Sequence, residues 1–184
     1  MNKPFYFKNI GTIDPSPIIN FLNSDAISFG PSPNVQWTGD FNKMHNREVY
    51  FKNVKALCAI DEFKVFDIFE ELKFNLSEVA QVLLDSYGEG RIYKCHFSKL
   101  TSSSRITPHI DTGLLFSLSH RVQIPLITDD KVIFKIHDKT FKTQPGLMFE
   151  INNLRTHTVS VNSNIERVTL IIDYMENYVY DRFF

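Results

Sequence analysis

The sequence predicts a mainly β fold whose helices are confined to the N-terminal half of the chain. Between residues 54 and 87, apolar residues recur at steps of three and four, which is typical of helices that pack one face on a core. From residue 90 onward, short runs of alternating apolar and polar residues are separated by turn residues, as in a sandwich or jelly roll. A length of 184 residues suits one domain.

The first part of the chain is the least regular. Asp14 followed by Pro15 favours the start of a short helix, because aspartate caps helices and proline suits the first turn. The apolar face of this helix would consist of Ile18, Ile19 and Leu22. Residues 30–33 contain two prolines and a glycine and predict a loop. Residues 37–50 mix polar and aromatic side chains, which would either cover the core or line a pocket.

Two helices are predicted between residues 54 and 87. The apolar stripe of the first comprises Phe63, Phe66, Ile68, Phe69 and Leu72. The second would be capped by Asn75 or Ser77 and would end at Gly88. Its apolar residues are Val79, Val82, Leu83 and Leu84. We expect both helices to pack on the sheet of the same chain.

The remaining elements are strands. We predict them at residues 92–100, 106–111, 121–126, 132–136, 140–143, 147–151, 157–161 and 167–174, with a loop at 101–104. Helices first and strands later predict a double-stranded β-helix, a cupin-like jelly roll, with the helices of the N-terminal half packed on one outer face. We expect one domain over residues 1–184, with a helical and irregular part at 1–89 and the β-helix core at 90–176.

Composition excludes several functional classes. A net charge of −1 gives no basic surface for nucleic acid or an anionic membrane, and no run approaches the ~20 apolar residues that span a bilayer. Cys58 and Cys95 lie far apart and no secretory signal is visible, so we expect reduced thiols in a cytoplasmic protein. A glycine-rich phosphate loop and a nucleophile elbow are both absent from the sequence.

The chemistry-bearing residues are two histidines, a carboxylate and an arginine. His109 and Asp111 are two residues apart, so on a strand both side chains face the same way. His157 lies on a later strand, and two imidazoles with one carboxylate form the facial triad that holds non-haem Fe(II) with open positions. Arg167 begins an otherwise apolar strand, where it can receive a carboxylate in a two-pronged contact. Together these residues suggest a 2-oxoglutarate-dependent oxygenase.

From about Gly90 to Tyr174 the sequence resembles the aspartyl/asparaginyl β-hydroxylase-like branch of the Fe(II)/2-oxoglutarate-dependent oxygenases. Five segments carry the resemblance in their order and spacing: residues 109–111, 121–126, 146–150, 157–162 and 167–173. Residues 1–89 contain no motif that takes part in it. The resemblance covers roughly half of the chain.

The resemblance implies a role for each matching residue. The Fe(II) ligands would be His109, Asp111 and His157. The keto acid end of 2-oxoglutarate would chelate the metal, Arg167 would pair with its distal carboxylate beside the Ser98 hydroxyl, and O2 would take the last position. Arg121 would receive a carboxylate of the substrate. The implied reaction is hydroxylation of a peptidyl Asp/Asn-type residue or of a free amino acid such as proline, with release of succinate and CO2.

One position departs from the family pattern. Two residues after Arg121 the family usually has a histidine that contacts the cosubstrate, and this chain has Gln123. Glutamine can hydrogen-bond the cosubstrate but carries no charge, so we expect weaker binding or a different orientation of its carboxylate. We interpret His45, His96, His120 and His137 as structural or surface residues.

Two alternatives stay open. A cupin-like metal-binding protein would keep the fold and the metal without oxygenase turnover. A non-catalytic β-sandwich module would keep the histidines as structural residues. Arg167 favours the oxygenase, because a simple metal store does not need it. Oligomeric state is not predicted by the sequence.

Overall fold

The computed structural model describes residues 3–24, 27, 29, 51–162 and 164–183. The loop predicted at 30–33, the segment 37–50 and His45 lie outside these residues. Ten strands are present in the described part: β1 Phe7–Thr12, β2 Phe51–Asp61, β3 Lys64–Val65, β4 Gly90–His109, β5 His120–Ile127, β6 Val132–Ile136, β7 Lys139–Phe141, β8 Leu147–Ile151, β9 His157–Val161 and β10 Arg167–Glu176. The helices described are α1 Ser16–Leu22, α2 Asp67–Leu72, α3 Ser77–Tyr87, α4 Leu114–Leu118 and α5 Asn177–Phe183, with a 3-10 turn at Lys73–Asn75.

The strands form an antiparallel jelly roll. Their order is β1-β8-β5-β10-β4-β9-β6-β7, and β2 pairs with both β4 and β3. Strand β4 is long enough to pair with different strands along its length. Its first half pairs with β10, from Gly90 opposite Glu176 to Leu100 opposite Arg167, and its end pairs with β9. The predicted double-stranded β-helix is confirmed.

Two apolar clusters form the core. The first lies between the helices and one face of the sheet, and it includes Ile18, Leu72, Val79, Leu83, Val122, Ile124, Leu170 and Ile172. The second lies among β6, β8 and β9, with Phe134, Phe149 and Val159 among its members. The prediction that helices of the N-terminal half pack on one face is therefore confirmed. Because residues alternate between faces along a strand, β5 and β10 turn their intervening polar residues away from the helices.

The prediction of helical structure from residue 54 was wrong for the residues before Asp67. Residues 51–61 form β2, which pairs with β4, and α2 begins only at Asp67. Glu62 and Phe63 have positive φ angles of 49° and 65°, and this left-handed turn between β2 and β3 cannot belong to a helix. The apolar run at residues 56–60 is short enough to fit either structure, and pairing with β4 decides in favour of a strand.

The structure also differs from the sequence predictions at one predicted loop, at a helix cap and at three elements that were not predicted. The predicted loop at 101–104 lies inside β4, opposite a register shift in β2 between Lys52 and Val54. Helix α3 ends at Tyr87 with Gly88 at its C-cap, as predicted, but Leu76 occupies its N-cap position without a side-chain hydrogen bond. Asn75 instead donates to the Glu71 carbonyl. Strand β1 and helices α4 and α5 were not predicted.

Among the described residues, no helix has the length and apolar character needed to cross a bilayer.

A buried ionic cluster joins the N-terminal segment to β8. Lys3 Nζ lies 3.1 Å from Glu150 Oε1 and donates to the Ser119 carbonyl. His120 Nδ1 and the Tyr87 hydroxyl each lie 3.0 Å from an oxygen of the same carboxylate. Burial opposes ionisation of Glu150, but hydrogen bonds from His120 and Lys3 hold its pKa below the usual range. The carboxylate is therefore the counter-charge of Lys3.

Replacing Glu150 with glutamine is expected to lower the free energy of unfolding by about 3 kcal/mol, because the Lys3 cation loses its buried counter-charge. Chemical denaturation measures this change. Glu70→Gln is the matched control: its ion pair with Lys73 is exposed, so a loss below about 1 kcal/mol is expected. Equal losses in the two variants would contradict the role of Glu150.

Candidate active site

The pairing of β4 with β9 brings the two histidines together. His109 is the register partner of His157, and their ring centroids are 4.2 Å apart. Asp111 follows β4, and its backbone N–H donates to the Asn153 carbonyl at 3.0 Å. The Nε2 atom of each histidine lies 3.7 Å from an oxygen of the Asp111 carboxylate. One ligand atom from each of these three residues lies within 4.8 Å of the others, a spacing that can surround one metal ion.

Backbone contacts fix the direction of both imidazoles. His109 Nδ1 lies 2.8 Å from the Thr107 carbonyl, and His157 Nδ1 lies 3.0 Å from the Arg155 carbonyl. A carbonyl oxygen only accepts, so each Nδ1 carries a proton, and in the neutral ring Nε2 keeps its lone pair. Burial lowers the pKa of His157 to about 4, so this ring is neutral at neutral pH. Both Nε2 atoms are thus prepared to bind a metal.

The Asp111 carboxylate is buried and ionised. Burial alone would raise its pKa, but Arg121 and the two histidines outweigh burial and hold the pKa below the usual range. Arg121 Nη1 donates to Asp111 Oδ2. The other side of the same guanidinium donates from Nε and Nη2 to the two oxygens of Asp173, at 2.8 and 2.7 Å.

Three adjacent strands present polar residues on the face that points away from the helices. In successive rungs across β5, β10 and β4, Asp173 lies between Arg121 and Lys94, Ile171 between Gln123 and His96, and Thr169 between Pro125 and Ser98. Directly paired residues share a face of a sheet. The sheet therefore brings Ser98, Gln123 and Arg121 to the same surface as Arg167, which lies two residues before Thr169 on β10.

Arg167 is buried, with 2% of its surface exposed, and it has one long contact in the described part of the chain. Its Nη2 lies 3.4 Å from Gln123 Oε1, and its Nε has no hydrogen-bond partner among the described residues. Burial lowers the pKa of Arg167 to about 10, so the side chain stays charged at neutral pH. A buried cation with so little compensation is costly in a folded protein unless an anion pairs with it.

Three residues of this surface were missed or interpreted differently from sequence. Thr169 has a buried hydroxyl without a hydrogen-bond partner among the described residues, opposite Ser98. Asp173 is fully buried and receives Arg121. The signal for both is their spacing, since they lie two and six positions after Arg167 on one strand face. His96, which the sequence suggested is structural, also lies on this surface. Burial and, to a smaller extent, the charge of Arg121 lower the pKa of His96 to about 4.

A family model decides the classification. The model for aspartyl/asparaginyl β-hydroxylase matches residues 64–177, which is well over half of the chain. The chain belongs to the aspartyl/asparaginyl β-hydroxylase family. The match begins at β3, so it includes α2 and α3, which the sequence resemblance did not reach. As a member of this family, the protein is an oxidoreductase of the hydroxylase type.

Solved structures agree with this family's fold. A 2OG-Fe(II) oxygenase family oxidoreductase from Burkholderia pseudomallei is 20% identical with a TM-score of 0.55, over 66% of this chain and 67% of the other. The viral collagen prolyl hydroxylase from Paramecium bursaria Chlorella virus 1, solved with 2OG, is 6% identical with a TM-score of 0.55. That match covers 93% of this chain and 96% of the other. At these identities the likeness concerns the fold. A search of curated protein sequences found no significant match.

Proposed function

We propose that this β-hydroxylase family member is an Fe(II)- and 2-oxoglutarate-dependent dioxygenase that hydroxylates an amino-acid residue. The observation that carries the proposal is a pair of histidines with their Nε2 atoms turned toward a buried carboxylate, on a strand surface that also holds the buried Arg167. The family match and the jelly-roll fold support the same reaction class.

The residues present fit a ferrous ion. Two neutral imidazoles and one carboxylate are the donor set of non-haem iron oxygenases, and three protein ligands leave positions for the cosubstrate and O2. His109, Asp111 and His157 would hold the metal. The Thr107 and Arg155 carbonyls would orient the two rings through their Nδ1 protons.

The residues on β10 fit the distal carboxylate of 2-oxoglutarate. Arg167 would receive it in a charge-assisted contact, with the Ser98 and Thr169 hydroxyls on the adjacent rung as further donors. Gln123 contacts Arg167 where the family usually has a histidine, and it would orient the guanidinium without adding a charge. The burial of Arg167 would exclude water from this contact and strengthen it.

When bound, iron and 2-oxoglutarate would supply oxygen activation: one atom of O2 is inserted into a substrate C–H bond, and 2-oxoglutarate is converted to succinate and CO2. The protein's own contribution is orientation and burial. For the substrate we propose a peptidyl Asp/Asn-type residue or a free amino acid such as proline. That Arg121 binds a substrate carboxylate stays a prediction, and a cytoplasmic location does too.

Turnover with candidate substrates tests this function. Purified protein with Fe(II), ascorbate and 2-oxoglutarate is expected to form succinate faster when an Asp- or Asn-containing peptide or free proline is added, and mass spectrometry should find the substrate heavier by one oxygen. Metal binding without any succinate would support the alternative of a metal-binding protein. Succinate formation that persists in His109→Ala at the wild-type rate would contradict the proposal.

A further inference from the structure

We propose that Arg121 and Asp173 act as a positioning pair for the metal-ligating carboxylate, in which Arg121 holds Asp111 and Asp173 holds and neutralises Arg121. The inference rests on the proposed metal site. It gives Arg121 a role in the resting protein that precedes any contact with substrate.

The contacts define a rigid unit. The guanidinium plane offers Nε and Nη2 to both oxygens of Asp173, at 2.8 and 2.7 Å, while Nη1 reaches Asp111 Oδ2 on the other side. Such a planar fork fixes both distance and plane, which a lysine cannot do. The Phe116 ring of α4 covers one face of the guanidinium, with 4.6 Å between the ring centroid and the guanidinium carbon.

The register of the sheet explains why this arrangement is stable. Arg121 on β5 is the direct pairing partner of Asp173 on β10, so the two side chains lie next to each other on one face of the sheet. Asp173 has no exposed surface and Arg121 has 6%. Asp111 lies just after the end of β4, outside any strand. Its contact with Arg121 therefore ties this carboxylate to the paired strands β5 and β10.

The charges explain why Asp173 is needed. A guanidinium beside Asp111 would by itself cancel the carboxylate's charge and repel a divalent cation. Asp173 balances Arg121, and the neighbouring Lys94 is balanced by Asp61 at 2.7 Å. The Asp111 charge therefore remains available to the metal. Because Arg121 donates to Oδ2, the Oδ1 atom, which lies 3.7 Å from His109 Nε2, would be available to the metal.

Metal affinity without cosubstrate or substrate tests the pair. Fe(II) is titrated anaerobically into wild type, Asp173→Asn, Arg121→Lys and the double variant by calorimetry. Asp173→Asn leaves the Arg121 charge unbalanced, and Arg121→Lys loses the fork, so each is expected to bind Fe(II) about 10- to 100-fold more weakly. The double variant is expected to lose far less than the product of the two single losses, because both act through one contact.

Glu150→Gln is the matched control. It also removes a buried ion pair, yet Glu150 contacts Lys3, His120 and Tyr87, none of which is a proposed ligand. Its Fe(II) affinity is expected to stay within about twofold of wild type despite its lower stability. Circular dichroism verifies that each variant is folded. If neither site tolerates substitution, Phe116→Leu, which removes the ring over the guanidinium, is expected to weaken Fe(II) binding severalfold.

The possible outcomes distinguish failure of the Arg121–Asp173 positioning pair from failure of the proposed oxygenase function. Wild-type protein that binds no Fe(II) would overturn the proposed function. Wild-type binding with unchanged affinity in folded Asp173→Asn and Arg121→Lys would overturn the positioning pair alone. A variant Arg121→Lys that keeps its metal affinity and raises only the substrate KM would likewise overturn the pair, and would favour direct binding of substrate by Arg121.

Discussion

Replacing Arg167 with methionine is expected to weaken 2-oxoglutarate binding by about 100-fold or more while Fe(II) still binds. A buried two-pronged contact between a guanidinium and a carboxylate contributes several kcal/mol, and the loss of one partner removes it. Calorimetric titration of the Fe(II)-loaded protein with 2-oxoglutarate, kept anaerobic, measures the affinity. Arg167→Lys keeps the charge but not the fork, so it should fall between wild type and Arg167→Met.

Arg167→Met is expected to be more stable than the wild type in the absence of ligand. Arg167 is buried, and within the described residues its one hydrogen bond is the 3.4 Å contact with Gln123. Its charge therefore costs folding energy that an apolar side chain of similar length does not. We expect Arg167→Met to raise the free energy of unfolding by about 1 kcal/mol. An arginine with a structural role would give the opposite sign. A destabilised variant with unchanged 2-oxoglutarate affinity would contradict the assignment of Arg167.

Removing one metal ligand is the second large effect. His157→Ala should reduce Fe(II) affinity by at least about 100-fold and abolish turnover, because two remaining donors cannot form the facial triad. The ring is buried and neutral, and its Nδ1 proton is already held by the Arg155 carbonyl, so the wild type needs no rearrangement to bind. Anaerobic titration and measured iron content both report the loss.

His137→Asn is a suitable control for the histidine substitution. His137 is exposed at the hairpin between β6 and β7, has a positive φ of 55°, and lies outside the triad. Asparagine tolerates this backbone conformation better than most residues. The control should bind iron like the wild type. Equal losses in His157→Ala and His137→Asn would show that the effect is not specific to the proposed ligands.

Much of the β-helix could be predicted because its strands alternate clearly. Burial alternates along β6 and β9, β5 alternates between polar and apolar residue types, and turn residues separate these strands. The region around β2 could not be predicted so well. Its apolar run is followed by phenylalanines at helical spacing, and only pairing with β4 reveals that residues 51–61 are extended. Nonlocal pairing of this kind leaves no trace in the local pattern.

The same limit applies to the site. The motif around His109 and Asp111, with His157 and Arg167, was visible from residue types and spacing. The partner of Arg121 was not, because it depends on the register between β5 and β10, which places Asp173 opposite Arg121. Thr169 is a candidate cosubstrate contact for a similar reason: its hydroxyl lies opposite Ser98 and has no hydrogen-bond partner in the described part of the chain. The substrate leaves even less trace, since it is selected by the shape of a surface to which distant segments contribute.

Anaerobic titration of the apo-protein with Fe(II) and then with 2-oxoglutarate tests the iron and cosubstrate site most directly. We predict a visible metal-to-ligand charge-transfer band that requires both components, is lost in His157→Ala, and needs much higher 2-oxoglutarate in Arg167→Met. A wild-type protein that binds Fe(II) but gives no band at saturating 2-oxoglutarate would contradict the cosubstrate site. A protein that binds no Fe(II) at all would contradict the metal centre itself.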